Sequence, residues 1–105
     1  MPTEPYEIVF DVETESHLQG IDRKFHSLIQ RAIEEQLRHQ AEIETRNRKK
    51  LREPAAFGAA WEIRFGPDNR FRVLYRVEPN RAVVVLAIGI KQGNRVRIGE
   101  QEIQL

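Results

Sequence analysis

Apolar and charged residues alternate along two stretches in the second half of the chain. Residues 61–65 and 71–77 each carry an apolar side chain at every second position. Such alternation indicates β-strands with one buried face. The residues between them begin Gly-Pro-Asp-Asn, a combination typical of tight turns. The pattern therefore predicts an antiparallel hairpin.

The register of this hairpin follows from the same pattern. Only a pairing of Phe65 with Phe71 brings both apolar sets to one face, because a slip by one residue would send one set to the other side. This register places Arg64 opposite Arg72 on the charged face, where like charges destabilise a sheet. Two interpretations stay open: the pair binds an anion, or the two side chains diverge into water.

Two further segments read as strands. The apolar, β-branched run at 82–90 predicts a strand buried on both faces. Residues 6–12 alternate and predict a first strand, with these side chains inward: Tyr6, Ile8, Phe10 and Val12.

The segment between the first strand and the hairpin has a helical period. An apolar stripe from Ile21 to Leu37 predicts a main helix over residues 21–43, after a short helical turn at 14–20. The basic segment 45–52 is either the end of this helix or a loop, and the tail at 94–103 is a short strand or helix. Residues 1–105 are thus predicted to form one α+β domain: an N-terminal strand, a helical hairpin on one sheet face, a three-stranded antiparallel meander and a short C-terminal element.

Charge is divided unevenly along the chain. Residues 1–44 contain four Lys/Arg and ten Asp/Glu, whereas residues 45–105 contain thirteen Lys/Arg and six Asp/Glu. This asymmetry favours a basic face and a polyanionic partner. There is no cysteine, and the acidic N-terminus lacks the pattern of a signal peptide, so we expect a cytoplasmic protein with no membrane contact.

Two motifs carry a family resemblance. Residues 71–75 read Phe-Arg-Val-Leu-Tyr, and the next strand contains Ala-Ile-Gly at 87–89. These motifs, in this order of elements, resemble the RelE/ParE superfamily of bacterial toxins. The resemblance implies a type II toxin that cleaves mRNA, in many members on the ribosome, without metal or cofactor. It also implies a cognate antitoxin as partner.

The resemblance implies site residues as well. Arg72 corresponds to the arginine that contacts the scissile phosphate, and Arg64 and Lys91 fall on basic positions of the flanking strands. Glu62 shares a face with Arg64 and is the candidate base, with Lys91 as the candidate acid. Further RNA contacts are predicted at Arg46, Arg48, Lys49, Lys50, Arg52, Arg76, Arg95 and Arg97. The three histidines lack metal-ligand spacing and are predicted to lie on helix surfaces.

One departure from the family keeps an alternative open. Active family nucleases usually have a tyrosine or histidine near the C-terminus, and this tail has neither. The alternative is a non-catalytic, ParE-like binding protein, such as a gyrase inhibitor or an inactive relative. For the toxin, we expect Leu74, an apolar residue predicted to be exposed, and the arginine face to form the docking surface of the antitoxin.

Overall fold

The protein is built around a seven-stranded sheet, and the computed structural model describes residues 4–103. Two α-helices accompany the sheet: α1 (Glu13–Gln19) and α2 (His26–Leu37), the second preceded by a short 3-10 turn at Arg23–Phe25. The strands are β1 (Glu7–Phe10), β2 (Arg48–Lys50), β3 (Trp61–Phe65), β4 (Phe71–Val77), β5 (Ala82–Gln92), β6 (Arg95–Ile98) and β7 (Gln101–Ile103). The predicted α+β class is confirmed.

The sheet order is β2-β3-β4-β5-β6-β7, and β1 pairs in parallel with the first part of β5. The predicted hairpin register is confirmed, because Phe65 pairs with Phe71 and Arg64 with Arg72. At the other end of the hairpin, the rings of Trp61 and Tyr75 stack with centroids 6.2 Å apart. The alternation in the sequence was therefore sufficient to define both faces of this hairpin.

The two faces of the sheet bury two separate clusters. On one face, α2 packs its apolar stripe against the meander, and Tyr75 anchors the chain after α2 by donating a hydrogen bond to the carbonyl of Ala41 at 2.6 Å. The second cluster comprises Ala59, Leu74, Leu86, Ala87, Val96 and Ile98. The predicted exposure of Leu74 is wrong, because this second cluster buries it.

The central strand β5 has a gap along one edge. Residues 82–85 pair with β1, and residues 90–92 pair with β6, so Ile88 lies between the two partners. The backbone N–H of Ile88 donates instead to Nδ1 of His17 in α1, at 3.3 Å. The predicted surface position of His17 is therefore wrong. Its imidazole is buried, where it supplies the acceptor that the buried backbone N–H of Ile88 requires.

Three segments differ from the sequence-based expectation. Helix α2 ends at Leu37, where the apolar stripe ends, rather than near residue 43. The basic segment that follows contains strand β2, which pairs with β3. The tail forms the two strands β6 and β7. The meander is consequently extended at both edges beyond the three predicted strands.

Strand β1 is shorter than predicted and only partly covered. Tyr6 is buried, but Phe10 and Val12 are exposed, so the prediction that both point into the core is wrong. None of the helices in the described part of the chain is long and apolar enough to cross a membrane.

Candidate cationic site

A shallow pocket of about 220 Å³ opens where β3, β4 and the β5–β6 hairpin meet. Three predicted catalytic residues, Arg64, Arg72 and Lys91, line it together with Arg95. Arg64 and Arg72 face each other across the β3–β4 pairing, and Arg72 pairs on its other side with Gly89 of β5. Four strands, β3 to β6, therefore each place one cationic side chain at the pocket. Such a concentration of positive charge favours binding of an anion. We call these four residues the cationic pocket.

A buried carboxylate lies beneath the two arginines. Oε1 of Glu62 accepts a hydrogen bond from Nε of Arg64 at 2.8 Å, and Oε2 lies 3.7 Å from Nη1 of Arg72. The Glu62 side chain is 2% exposed, the Arg72 side chain 7% and the Arg64 side chain 41%. The single carboxylate thus offsets the repulsion that the register creates between the two guanidiniums.

Arg72 is more deeply buried than Arg64 and contacts two different groups. Its Nε donates to the carbonyl of Asn69 at 3.2 Å, and its Nη1 faces Glu62. Burial lowers the pKa of Arg72 from its usual value, and the neighbouring Arg64 lowers it further, while Glu62 opposes both effects. The outcome is a buried guanidinium at the base of the pocket, with the half-exposed Arg64 beside it.

The structure does not support Glu62 as a general base. A base must reach the proton it removes, and the Glu62 side chain is almost completely buried and already engaged by two arginines. The sequence pattern placed Glu62 on the correct face, but it could not show that the neighbouring side chains cover it. We therefore reassign Glu62 to positioning Arg64 and Arg72.

The basic segment around β2 divides into two faces. Lys49 pairs with Glu62, and directly paired residues share a face, so Lys49 extends the charged face of the cationic pocket. Arg48 lies on the other face and is buried, where its guanidinium donates to the carbonyls of Ile43 and Gln36 at 2.9 and 3.1 Å. The predicted RNA contact at Arg48 is wrong for this reason. Three other members of the segment are exposed but do not line the pocket: Arg46, Lys50 and Arg52.

Two further arginines predicted to contact RNA lie outside the pocket. Arg97 donates to the carbonyls of Gly20 and Gly99 at 2.9 and 3.1 Å, so it ties β6 to the end of α1. Arg76 forms an ion pair with Glu78 at 2.7 Å. These contacts give Arg97 a structural role and leave Arg76 as a separate, half-exposed cation on β4.

Sequence reasoning missed one polar residue that lines this space beside the four cations. Asn94 lies in the turn between β5 and β6 and lines the pocket beside Lys91. Its carboxamide adds a neutral donor and acceptor to the four cations. The Gly-Asn pair at 93–94 is a recognised hairpin signal, but the sequence left the structure of the tail open.

The arrangement suits a phosphate group. Arginine remains charged at neutral pH and offers paired donors to phosphate oxygens. Among the described residues that line the pocket, none is a tyrosine or a histidine. The chemistry available there is consequently binding and stabilisation of negative charge.

The fold has a counterpart among solved structures. The chain matches a chain of the crystal structure of the toxin-antitoxin complex RelBE2 from Mycobacterium tuberculosis, with a TM-score of 0.66 and 22% sequence identity. The match covers 83% of this chain and 99% of that chain. The RelE-like fold that the sequence motifs implied is thereby confirmed.

A family model matches most of the sequence. No curated protein matches it. The family described as "Phage derived protein Gp49-like (DUF891)" matches residues 17–105, which include α2, the whole meander and every residue of the cationic pocket. Because this match spans most of the chain, the protein belongs to the phage-derived, Gp49-like family.

Proposed function

We propose that the protein is the toxin of a type II toxin-antitoxin pair and acts as a metal-independent endoribonuclease on mRNA. The observation that carries this proposal is the convergence of Arg64, Arg72 and Lys91 on one pocket, with the buried Glu62 paired to both arginines. The RelE-like fold and its match to a chain of a toxin-antitoxin complex support the toxin role. Its site of action would be the cytoplasm.

The pocket would act on the scissile phosphate of the RNA. The 2′-hydroxyl attacks the adjacent phosphorus, a new P–O bond forms, and the bond to the 5′-oxygen of the next nucleotide breaks. Negative charge grows on the non-bridging oxygens, where Arg72 and Arg64 would stabilise it. Lys91, at the exposed rim, would stabilise the departing 5′-oxygen, and water would exchange the protons.

A toxin of this kind requires a protein partner that restrains it, and we propose a cognate antitoxin. The match to a toxin-antitoxin complex supports this partner. The charge of the pocket favours an acidic antitoxin segment over it. Because Leu74 is buried, it cannot contribute the apolar part of that surface. Three of the exposed apolar side chains, Val9, Phe10 and Val12, lie together around β1 and could contact a partner there.

The second candidate function is inhibition by binding alone, as in ParE-like proteins that act on gyrase. One observation favours it: the described residues of the pocket include no tyrosine or histidine to transfer a proton. In this case the same cations would bind the antitoxin or another acidic surface and no RNA would be cut.

The experiment that separates these functions is induced expression in bacteria with mapping of new RNA 5′ ends. Wild-type protein is expected to arrest growth and to cleave mRNA. Arg64→Gln and Arg72→Gln are each expected to lower cleavage about 100-fold, the effect of removing one charge-stabilising donor. Co-expression of the cognate antitoxin is expected to relieve the arrest.

The matched control is Arg31→Gln, which removes one exposed charge from α2 on the opposite face of the sheet. This variant should arrest growth as the wild type does. Arg64→Gln is included because Arg72→Gln removes the buried one of the two arginines that face Glu62 and can weaken the fold. Growth arrest with intact mRNA would support the binding function, and the absence of any arrest would contradict both.

A further inference from the structure

The turn that precedes β4 is bound directly to the cationic pocket. The carbonyl of Arg70 accepts a hydrogen bond from the backbone N–H of Lys91 at 2.7 Å. The carbonyl of the preceding residue, Asn69, accepts from Nε of Arg72 at 3.2 Å. Arg70 is therefore fixed beside two residues of the pocket, although it does not line the pocket itself.

The side chain of Arg70 points away from the pocket, towards the other sheet face. Arg70 has helical backbone angles (φ −64°, ψ −34°) just before the extended β4, so it does not follow the alternation of the strand. Its guanidinium carbon lies 5.8 Å from the ring centroid of Phe25. The ammonium of Lys24 lies 5.2 Å from the same centroid. Two cations thus share one aromatic ring.

This ring is itself anchored next to the site. Phe25 packs against Phe71, the neighbour of Arg72, with centroids 5.1 Å apart. Lys24 and Arg70 are both exposed, and neither forms an ion pair with a carboxylate of residues 4–103. Asp22 accepts a hydrogen bond from the backbone N–H of Lys24, so its carboxylate is directed to the backbone rather than to the ammonium. The two cations remain available to a ligand.

We propose that Lys24 and Arg70 form a second phosphate-binding site for single-stranded RNA, which continues the cationic pocket around the end of the sheet. We call it the rim site. The inference rests on the proposed function, since the RNA whose scissile phosphate lies in the pocket would place a neighbouring phosphate at the rim site. Contacts of this kind hold the backbone and carry no base specificity. They also make binding depend on salt.

If the rim site binds a neighbouring phosphate, it should contribute to the affinity for long RNA but not for short RNA. The probe is fluorescein-labelled oligouridylate with 2′-O-methyl groups, which binds without being cut, in a short form of about 4 and a long form of about 16 nucleotides. We expect the double variant Lys24→Gln/Arg70→Gln to weaken binding of the long RNA about tenfold and to leave binding of the short RNA unchanged. The slope of log Kd against log salt for the long RNA should fall by about 1.4, which corresponds to two lost phosphate contacts.

The controls separate this inference from the proposed function. Arg64→Gln should weaken binding of both RNA lengths, and Arg31→Gln should weaken neither. If Arg64→Gln acts as expected while the double variant binds long RNA as the wild type does, the rim site is refuted and the proposed function stands. If the wild type binds neither RNA, both proposals fail. Melting curves of each variant exclude loss of the fold as the cause.

Discussion

At the scale of single residues, burial rather than sequence position decides what each charge does. Glu62 and Glu78 illustrate this, because each accepts a hydrogen bond from the Nε of an arginine two residues away, at 2.8 and 2.7 Å. The Glu62 side chain is 2% exposed, whereas that of Glu78 is 38% exposed. Glu62 alone faces a second, buried arginine. Comparison of these two carboxylates therefore tests how much the contacts of the buried Glu62 with Arg64 and Arg72 contribute to stability.

We expect Glu62→Ala to lower the free energy of unfolding by about 3 kcal/mol, because it leaves the buried Arg72 without a counter-charge. Glu78→Ala breaks an exposed pair and should cost less than about 1 kcal/mol. Urea denaturation of both variants measures the difference. Equal losses would show that Glu62 does not stabilise the arginine pair.

At the scale of elements, strand β2 combines a structural and a surface cation in neighbouring positions. Arg48 attaches the strand to the end of α2 through three hydrogen bonds, to the carbonyls of Ile43 and Gln36 and to the Gln36 side chain. Lys49, the next residue, is exposed on the face of the cationic pocket. The basic composition of the segment did not reveal this division. Adjacent residues of a strand point to opposite faces, so one cation is buried and the next is exposed.

Substitution of these two neighbours should separate stability from RNA binding. Arg48→Met is expected to lower the free energy of unfolding by about 2 kcal/mol, since it removes the three hydrogen bonds that a buried guanidinium makes to the end of α2. Lys49→Met should leave stability within about 0.5 kcal/mol of the wild type and weaken RNA binding. Denaturation and RNA titration of both proteins measure the two effects. A loss of stability in Lys49→Met would contradict the assignment of the two faces.

At the scale of the whole molecule, one edge of strand β5 brings together segments from distant parts of the chain. Strands β1 and β6 come from opposite ends of the chain and pair with different parts of this edge, and α1 fills the gap between them. His17 is the residue that makes this connection. Burial lowers the pKa of His17 below its ordinary value of 6.5, although Glu13 and Asp11 oppose the shift. The neutral imidazole is also the form in which Nδ1 can accept the N–H of Ile88.

This linkage predicts a pH dependence of stability. Because the pKa of His17 is lower in the folded state, the unfolded chain takes up the proton first as the pH falls. The contribution of His17 is therefore complete above pH 6.5 and decreases below it, towards the lower pKa of the folded state. His17→Asn keeps an acceptor without a titrating group and should reduce the loss of stability between about pH 7 and about pH 5.

The control for this prediction is His39→Asn, which replaces an exposed histidine. Its stability should follow the wild-type pH profile, because the His39 side chain is exposed rather than buried like that of His17. Denaturation at several pH values gives the profiles. If His17→Asn and the wild type lose stability in parallel, the buried imidazole does not contribute to the pH dependence.

The sequence by itself determined the α+β class, the register of the β3–β4 hairpin and the position of Arg64 opposite Arg72. These features follow from the regular spacing of apolar residues over short stretches, which can be read directly from the sequence. Only the tertiary structure decided that Glu62, Arg48 and His17 are buried, that Leu74 is covered, and that Lys24 meets Arg70 at Phe25. The partners in these contacts come from other segments, and the solvent exposure of a charge depends on which segments cover it.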